Sequence, residues 1–262
     1  MVAPGRIWHA LEDDEVVGRA DVLRRPDGRT FVAVDAWHAD VGAELVETVI
    51  RAVPEDLYST VGEDDAVQLA LLGLAGFAEV RREDEYVVPV VAGDSTAPGC
   101  TLVSARDVEV ARLARLDDEL RQDVPGAGGW ENDLAEFAER TFDPRLFDPL
   151  TYLVAVDDRT GELAGLVRIW RASRVPRLGL VAVRRPYRRR GLATALLHAA
   201  FRPLAARGVT QVTAEADARN TPSRTLLAGF GARRTGGIVE LRRPADRRGD
   251  QRRGDQRRTR GR

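Results

Sequence analysis

Arginine fills five of the seven positions from Arg184 to Arg190, and the next residue is Gly191. Before them runs the apolar stretch Leu178-Gly-Leu-Val-Ala-Val183. After them Gly191-Leu-Ala-Thr194 opens a helical pattern. A strand that enters a helix through such a turn leaves the first N–H groups of the helix unpaired, at the positive end of its dipole. Residues of these types at this spacing can hold a pyrophosphate. A solvated turn or a nucleic-acid patch would also account for the arginines, but it leaves the strand before and the helix after unexplained.

Such a loop needs a sheet and a helix to hold it. Strand-like runs lie near Cys100–Ser104, Tyr152–Val156, Leu163–Trp170, Leu178–Val183, Val209–Glu215 and Gly237–Arg242. The turn Asp157–Gly161 makes a hairpin of the second and third. Helical periodicity runs over Asp107–Leu120, Glu131–Arg140 and Pro222–Ala228, and from Gly191 onward, where Leu192, Ala195, Leu196, Ala199, Ala200 and Leu204 fall at core spacing. Pro203 is expected to kink or shorten the end of that last helix.

The N-terminal half follows a similar order. Strands are expected near Ile7–Glu12, Glu15–Leu23, Thr30–Val34, Leu57–Thr60 and Glu85–Val91, with helices over Val41–Val53 and Asp65–Leu72. The segment Leu71-Leu-Gly-Leu-Ala-Gly76-Phe aligns without gaps on Leu226-Leu-Ala-Gly-Phe-Gly231-Ala, a weak internal repeat. The polar break Ala92–Gly99 separates the halves.

The 262 residues suffice for one large or two ordinary domains. With 44% hydrophobic and 31% charged residues, the chain reads as a soluble globular protein, and its strand-like and helical runs read as α/β. No window approaches the ~18 apolar residues of a membrane span. The N-terminal residues show no apolar signal region, so a cytoplasmic location is expected. Cys100 is the single cysteine, and with only His9, His38 and His198 beside it no metal site is expected. From Arg242 to Arg262 there are ten Arg and three Asp, net +7, which leaves −8 on residues 1–241 of a total of −1. Residues 244–262 are near-repetitive and read as a disordered basic tail. An acidic body suits a cationic substrate such as an amine.

With the loop and its neighbours in place, residues 100–243 resemble the GCN5-related N-acetyltransferase (GNAT) family. The family carries a Gln/Arg-x-x-Gly-x-Gly/Ala loop between a central strand and its helix, here Arg188-Arg-Arg-Gly191-Leu-Ala193. Thr213-Ala-Glu215-Ala-Asp217, Asn220-Thr-Pro-Ser223, Leu226-Leu227 and Gly231-Ala232 follow at family spacing. The resemblance implies a GNAT fold and acetyl-CoA as cosubstrate. The N–H groups of Arg189, Arg190, Gly191, Leu192, Ala193 and Thr194 would bind its pyrophosphate, with Gly191 and Ala193 small enough for close approach. The side chains of Arg188, Arg189 and Arg190 would neutralise charge. The strand segment Val181-Ala182-Val183 would pair with the pantetheine arm, with Asn220 and Ser223 beside it.

The implied chemistry is attack of an amine on the thioester, with a carboxylate taking the proton and a main-chain N–H on the central strand holding the oxyanion. The strand Leu178–Val183 contains no acid, so Glu215 and Asp217 are the candidate bases, each with a structural role as its competing reading. Many family members use a Tyr seven residues after the Asn as acid; that position is Leu227 here. Trp130 and Trp170 are candidates to line the acceptor pocket or to pack the core. Residues 1–91 read as a degenerate GNAT-like half without cofactor, joined by linker 92–99. Its corresponding loop, Asp35–Glu44, has no Arg and carries acids. The tandem arrangement resembles mycothiol synthase in layout only. The expected acceptor is a small-molecule or peptide amine, with neither a membrane nor nucleic acid as partner. The alternative is a non-catalytic acyl-CoA-binding or regulatory module.

Overall fold

The structure, a computed structural model, describes residues 6–171 and 174–245. Two compact units divide these residues: 6–82 together with 238–245, and 83–237. The break at 92–99 lies inside the second unit, and the expectation for 246–262 falls outside the described residues.

In the first unit β1 (Arg6–Glu12), β2 (Glu15–Arg24) and β3 (Thr30–Ala36) form an antiparallel meander. Helix α1 (Ala39–Ala52) then crosses to β4 (Leu57–Gly62), which runs parallel to β3. Helix α2 (Ala66–Leu74) leads into β5 (Ala78–Pro89). The core joins Leu45, Val46 and Val49 of α1 to Val32, Leu57, Leu72 and Phe77, with Val239 and Leu241 from the end of the chain.

In the second unit β6 (Cys100–Ser104) precedes α3 (Val110–Arg121) and α4 (Leu134–Thr141). Then come β7 (Tyr152–Asp157), β8 (Leu163–Trp170), β9 (Arg177–Val183), α5 (Leu192–Ala206), β10 (Gln211–Asp217), α6 (Thr221–Gly229) and β11 (Arg233–Arg243). Within this unit the strands pair in the order β5-β10-β9-β8-β7-β6, parallel only between β9 and β10. One face buries Leu196, Leu197, Ala200 and Phe201 of α5 against Val167, Leu178, Val212 and Val88. The other buries Leu113, Leu116 and Leu120 of α3 with Phe137 of α4 against Val154 and Leu166. Helix α5 runs through Pro203 to Ala206, so the proline sits inside the last turns instead of ending them.

The two halves repeat, and each closes the other. The C-terminal part of β5 pairs antiparallel with β10, from Glu83↔Asp217 to Pro89↔Gln211. The C-terminal part of β11 pairs antiparallel with β4, from Ile238↔Gly62 to Arg243↔Leu57. Helices α2 and α6 end alike. Phe77 N–H donates to the Leu72 carbonyl and Gly76 N–H to that of Gly73; Ala232 and Gly231 donate likewise to Leu227 and Ala228. Gly76 and Gly231 take φ of 86° and 73°, the left-handed conformation this helix ending requires. Both strands begin earlier than their apolar patterns, in charged segments that ion pairs hold. Arg81 and Arg29 both bind the buried Glu240, at 3.0 and 2.6 Å, and Arg234 binds Asp84 at 2.8 Å.

Candidate functional site

Strands β9 and β10 pair only at Arg177↔Thr213 and Leu178↔Ala214, then part. The cause lies in β9. Leu178 pairs with Ile169 and Leu180 with Arg168, so Gly179 is a bulge residue left over between them. The bulge also inverts the alternation: Leu178 packs on the α5 face, Leu180 on the α3 face, and Val181 again on the α5 face. Gly179 is needed there, because a Cβ would lie 2.7 Å from Trp170 Nε1.

The gap exposes β9 backbone. Arg184 N–H donates to the Ala164 carbonyl at 2.9 Å, and the register then runs through Gly165↔Val183, Leu166↔Ala182 and Val167↔Val181. Antiparallel alternation therefore turns the groups of Ala182 toward β8 and those of Val181 and Val183 toward the gap. Arg188 Nε already takes the Val183 carbonyl at 2.7 Å. Val181 keeps an open strand edge.

Eight residues, 184–191, connect β9 to α5. Arg189 and Gly191 both adopt positive φ, 63° and 78°. Arg189 is strained there, at a cost of about 1–2 kcal/mol. Gly191 is the N-cap of α5 and provides no side-chain cap, whereas Asp65, Asp133 and Asn220 cap α2, α4 and α6. Nothing lies within 4 Å of where a Gly191 Cβ would be. The N–H groups that open α5, those of Leu192, Ala193 and Thr194, thus face an uncovered helix terminus, which can take an anion.

The five arginines divide into two groups. Arg184 binds Glu119 at 2.8 Å and Glu162 at 3.4 Å. Arg185 and Arg188 share Asp123, and the hydrogen bonds they donate hold its carboxyl down at about 2. Arg189 and Arg190 are exposed and have no hydrogen bond or ion pair among the described residues. A pocket lined by Pro98, Gly99, Cys100, Asp157, Tyr187 and Leu192 adjoins Arg190. Burial, with Asp157 and Asp158 nearby, pushes the Cys100 thiol up.

Glu215 and Asp217 are both engaged. Glu215 forms a two-pronged pair with Arg177. Asp217 is buried and accepts from Arg219 N–H at 2.8 Å and from its guanidinium at 3.1 Å. Asn220 Oδ1 accepts from Ser223 N–H at 3.2 Å, so its oxygen caps α6. Leu227 is 3% exposed and packs in the core. Trp130 donates to Asn132 Oδ1 at 3.0 Å. The Arg168 guanidinium covers the Trp170 ring at 4.7 Å and binds the buried Asp117 at 3.2 Å. Tyr152 lies edge-on to Trp170, and burial pushes its hydroxyl up to about 12.

One acid next to Glu215 was missed by the sequence reading. Glu85 of β5 pairs across the strands with Glu215. The only sequence signal was its place at the start of a strand in the other half; nothing local tied it to β10.

In the first unit β3 and β4 also part after two rungs, Thr30↔Leu57 and Phe31↔Tyr58. Only two residues, Trp37 and His38, lead from β3 to α1, against eight in the second unit. The gap contains Gln68 Nε2, which donates to the Val34 carbonyl at 3.1 Å.

The acetyltransferase (GNAT) family pattern matches residues 113–232. A GCN5-related N-acetyltransferase from Sphaerobacter thermophilus has a similar structure, with 21% identity, TM-score 0.68, and 89% of this chain and 78% of that one covered. A tandem GNAT protein from the clavulanic acid biosynthesis pathway gives 18% identity, TM-score 0.70, and 91% and 82% coverage. A GCN5-related N-acetyltransferase from Kribbella flavida gives 15%, 0.59, and 90% and 91%. These likenesses establish the fold. No curated protein matches the chain. No helix among the described residues is long and apolar enough to cross a membrane, and among them no group of three or more His, Cys, Asp or Glu is placed to hold a metal ion.

Proposed function

We propose that the second unit transfers an acetyl group from acetyl-CoA to an amine, with one cosubstrate site per chain. The observation that carries this reading is the pairing of two open features on one strand. Val181 offers unpaired backbone along the β9–β10 gap, and eight residues after the strand ends left-handed Gly191 opens an uncapped helix that starts at Leu192. The first suits an extended amide-bearing arm, which would add to β9 as a strand. The second suits a pyrophosphate, with Arg189 and Arg190 free to add charge.

Acetyl-CoA supplies an activated acyl carbon as a thioester. The chain's own residues do the rest. The β9 edge orients the arm so that the acyl carbon ends near the Gly179 bulge. A main-chain N–H turned into the gap, that of Val181, would hold the developing oxyanion. An alkyl amine has a pKa of about 10.4 and must lose a proton to react. The thiol, with a pKa of about 8.5, leaves without an acid, which agrees with the apolar Leu227.

An acceptor panel with acetyl-CoA, read by thiol release, tests the reading. Release with at least one amine, lost in Gly191→Glu, supports it. Tight binding of acetyl-CoA with no release from any amine, peptide or small molecule would favour a non-catalytic acyl-CoA-binding module instead.

A further inference from the structure

We propose that Glu85 is the general base of this reaction. The proposal rests on the acetyltransferase reading above and assigns its missing proton acceptor. Glu85 lies on β5, the strand that the N-terminal half lends to the second unit, directly across from Glu215. Ala214 and Ala216 of β10 and Tyr86 and Val88 of β5 all pack on the α5 core. Alternation therefore turns Glu85 and Glu215 together to the opposite face. Glu215 is the first residue of β10 beyond the last rung shared with β9, where the two strands part beside the Gly179 bulge.

The neighbouring acids are neutralised and Glu85 is not. Arg177 binds Glu215, and Arg219 binds Asp217. On the α5 face Asp84 is buried and binds Arg234 and the Tyr86 hydroxyl. The half-buried Glu85 carboxylate has no hydrogen bond or ion pair among the described residues. The groups facing it are Glu215 with its Arg177 on the β10 side and Glu83 two residues along its own strand, opposite Asp217. On the β11 side it meets Gly236, where a Cβ would lie 3.0 Å from Glu85 Oε2. A glycine there leaves the carboxylate room to turn.

The step balances as follows. The amine nitrogen bonds to the acyl carbon, the carbon–sulfur bond breaks, and the sulfur leaves with the bonding pair and takes a proton from water. Before this the Glu85 carboxylate takes one proton from the acceptor's ammonium and returns it to solvent, and the second proton that the nitrogen sheds on bonding passes to water in place of the one the sulfur took.

The test uses the full chain and an amine that the wild type acetylates. In E85Q, acetyl-CoA affinity by calorimetry and the melting temperature should match the wild type. At pH 7, kcat/KM for the amine should fall by about 100-fold or more. The deficit should shrink as pH rises toward the amine's own pKa, because neutral amine then needs no base, and E85D should recover part of the rate with the wild-type profile. An E85Q enzyme with the wild-type rate and profile overturns the assignment. So does an E85Q deficit that is constant with pH, which would mark a structural role. A wild type that releases no thiol removes the acetyltransferase reading itself; a wild type that turns over beside a fully active E85Q removes Glu85 alone.

Discussion

Gln68 Nε2 donates to the Val34 carbonyl across the gap between β3 and β4. Val34 is the third residue past the last rung that β3 shares with β4, and Val181 is the third past the last rung that β9 shares with β10. The carbonyl that the second unit leaves open is thus occupied in the first by the protein's own side chain. Removing that side chain does not build a site, because the two-residue passage from β3 to α1 has no room for a glycine-opened anion loop. The Gln68→Ala chain should lose about 1 kcal/mol of stability and keep the wild-type stoichiometry for acetyl-CoA. Denaturant unfolding and calorimetry check the two parts.

The exchange of β5 and β11 predicts that the C-terminal half of the chain does not stand alone. A fragment starting at residue 92 lacks the strand that pairs with β10 over seven rungs, and its β11 has lost β4. Two long unpaired edges promote aggregation. Such a fragment should show no cooperative thermal transition, and one starting at residue 78 should recover part of the β10 pairing. Circular dichroism melts of the two fragments would show it.

Arg189 carries the backbone strain of the loop, at φ 63°. Replacing it with glycine should raise stability by about 0.5–1 kcal/mol, since glycine takes that conformation freely. The same change removes one of the loop's two guanidinium groups that have no hydrogen bond or ion pair among the described residues, and should weaken acetyl-CoA binding. A higher melting temperature together with a higher Kd is the expected pair of results.

Hydrogen bonds from Arg185 and Arg188 hold the Asp123 carboxyl at about 2. Its folded value is below the unfolded value of about 3.9, so the stabilisation is present above pH ~4 and is lost as pH falls through 2. A carboxyl-carbon titration by NMR should place the Asp123 midpoint near 2. In Arg185→Ala, which removes the larger contribution, the midpoint should move up toward the ordinary carboxylate range.

Much of this fold was legible because most elements carry a clean local signal. The apolar run Leu163–Trp170 and the core spacing after Gly191 placed β8 and α5, and the glycine after the arginines marked where α5 opens. The gapless match of Leu71–Phe77 on Leu226–Ala232 pointed to two helix ends that share one hydrogen-bond pattern. What local pattern could not show was partnership. The charged starts of β5 and β11 read as loop, because ion pairs to residues far along the chain, such as Arg81 with Glu240, hold them as strands. Pro203 was overweighted, since a proline in the last turns removes a single hydrogen bond that packing can offset. Glu215 and Asp217 were chosen because the central strand has no acid and they flank the place where the two strands part. The arginines that bind them, and Glu85 that faces Glu215, become visible only once the strands are ordered.

The central claim is that one helix terminus and one splayed strand edge in this chain hold acetyl-CoA. Isothermal titration calorimetry of the full chain with acetyl-CoA tests it most directly. The account predicts saturable binding at one site per chain, abolished in Gly191→Glu and retained in Gln68→Ala. No binding to the wild type, or two sites per chain, would contradict it.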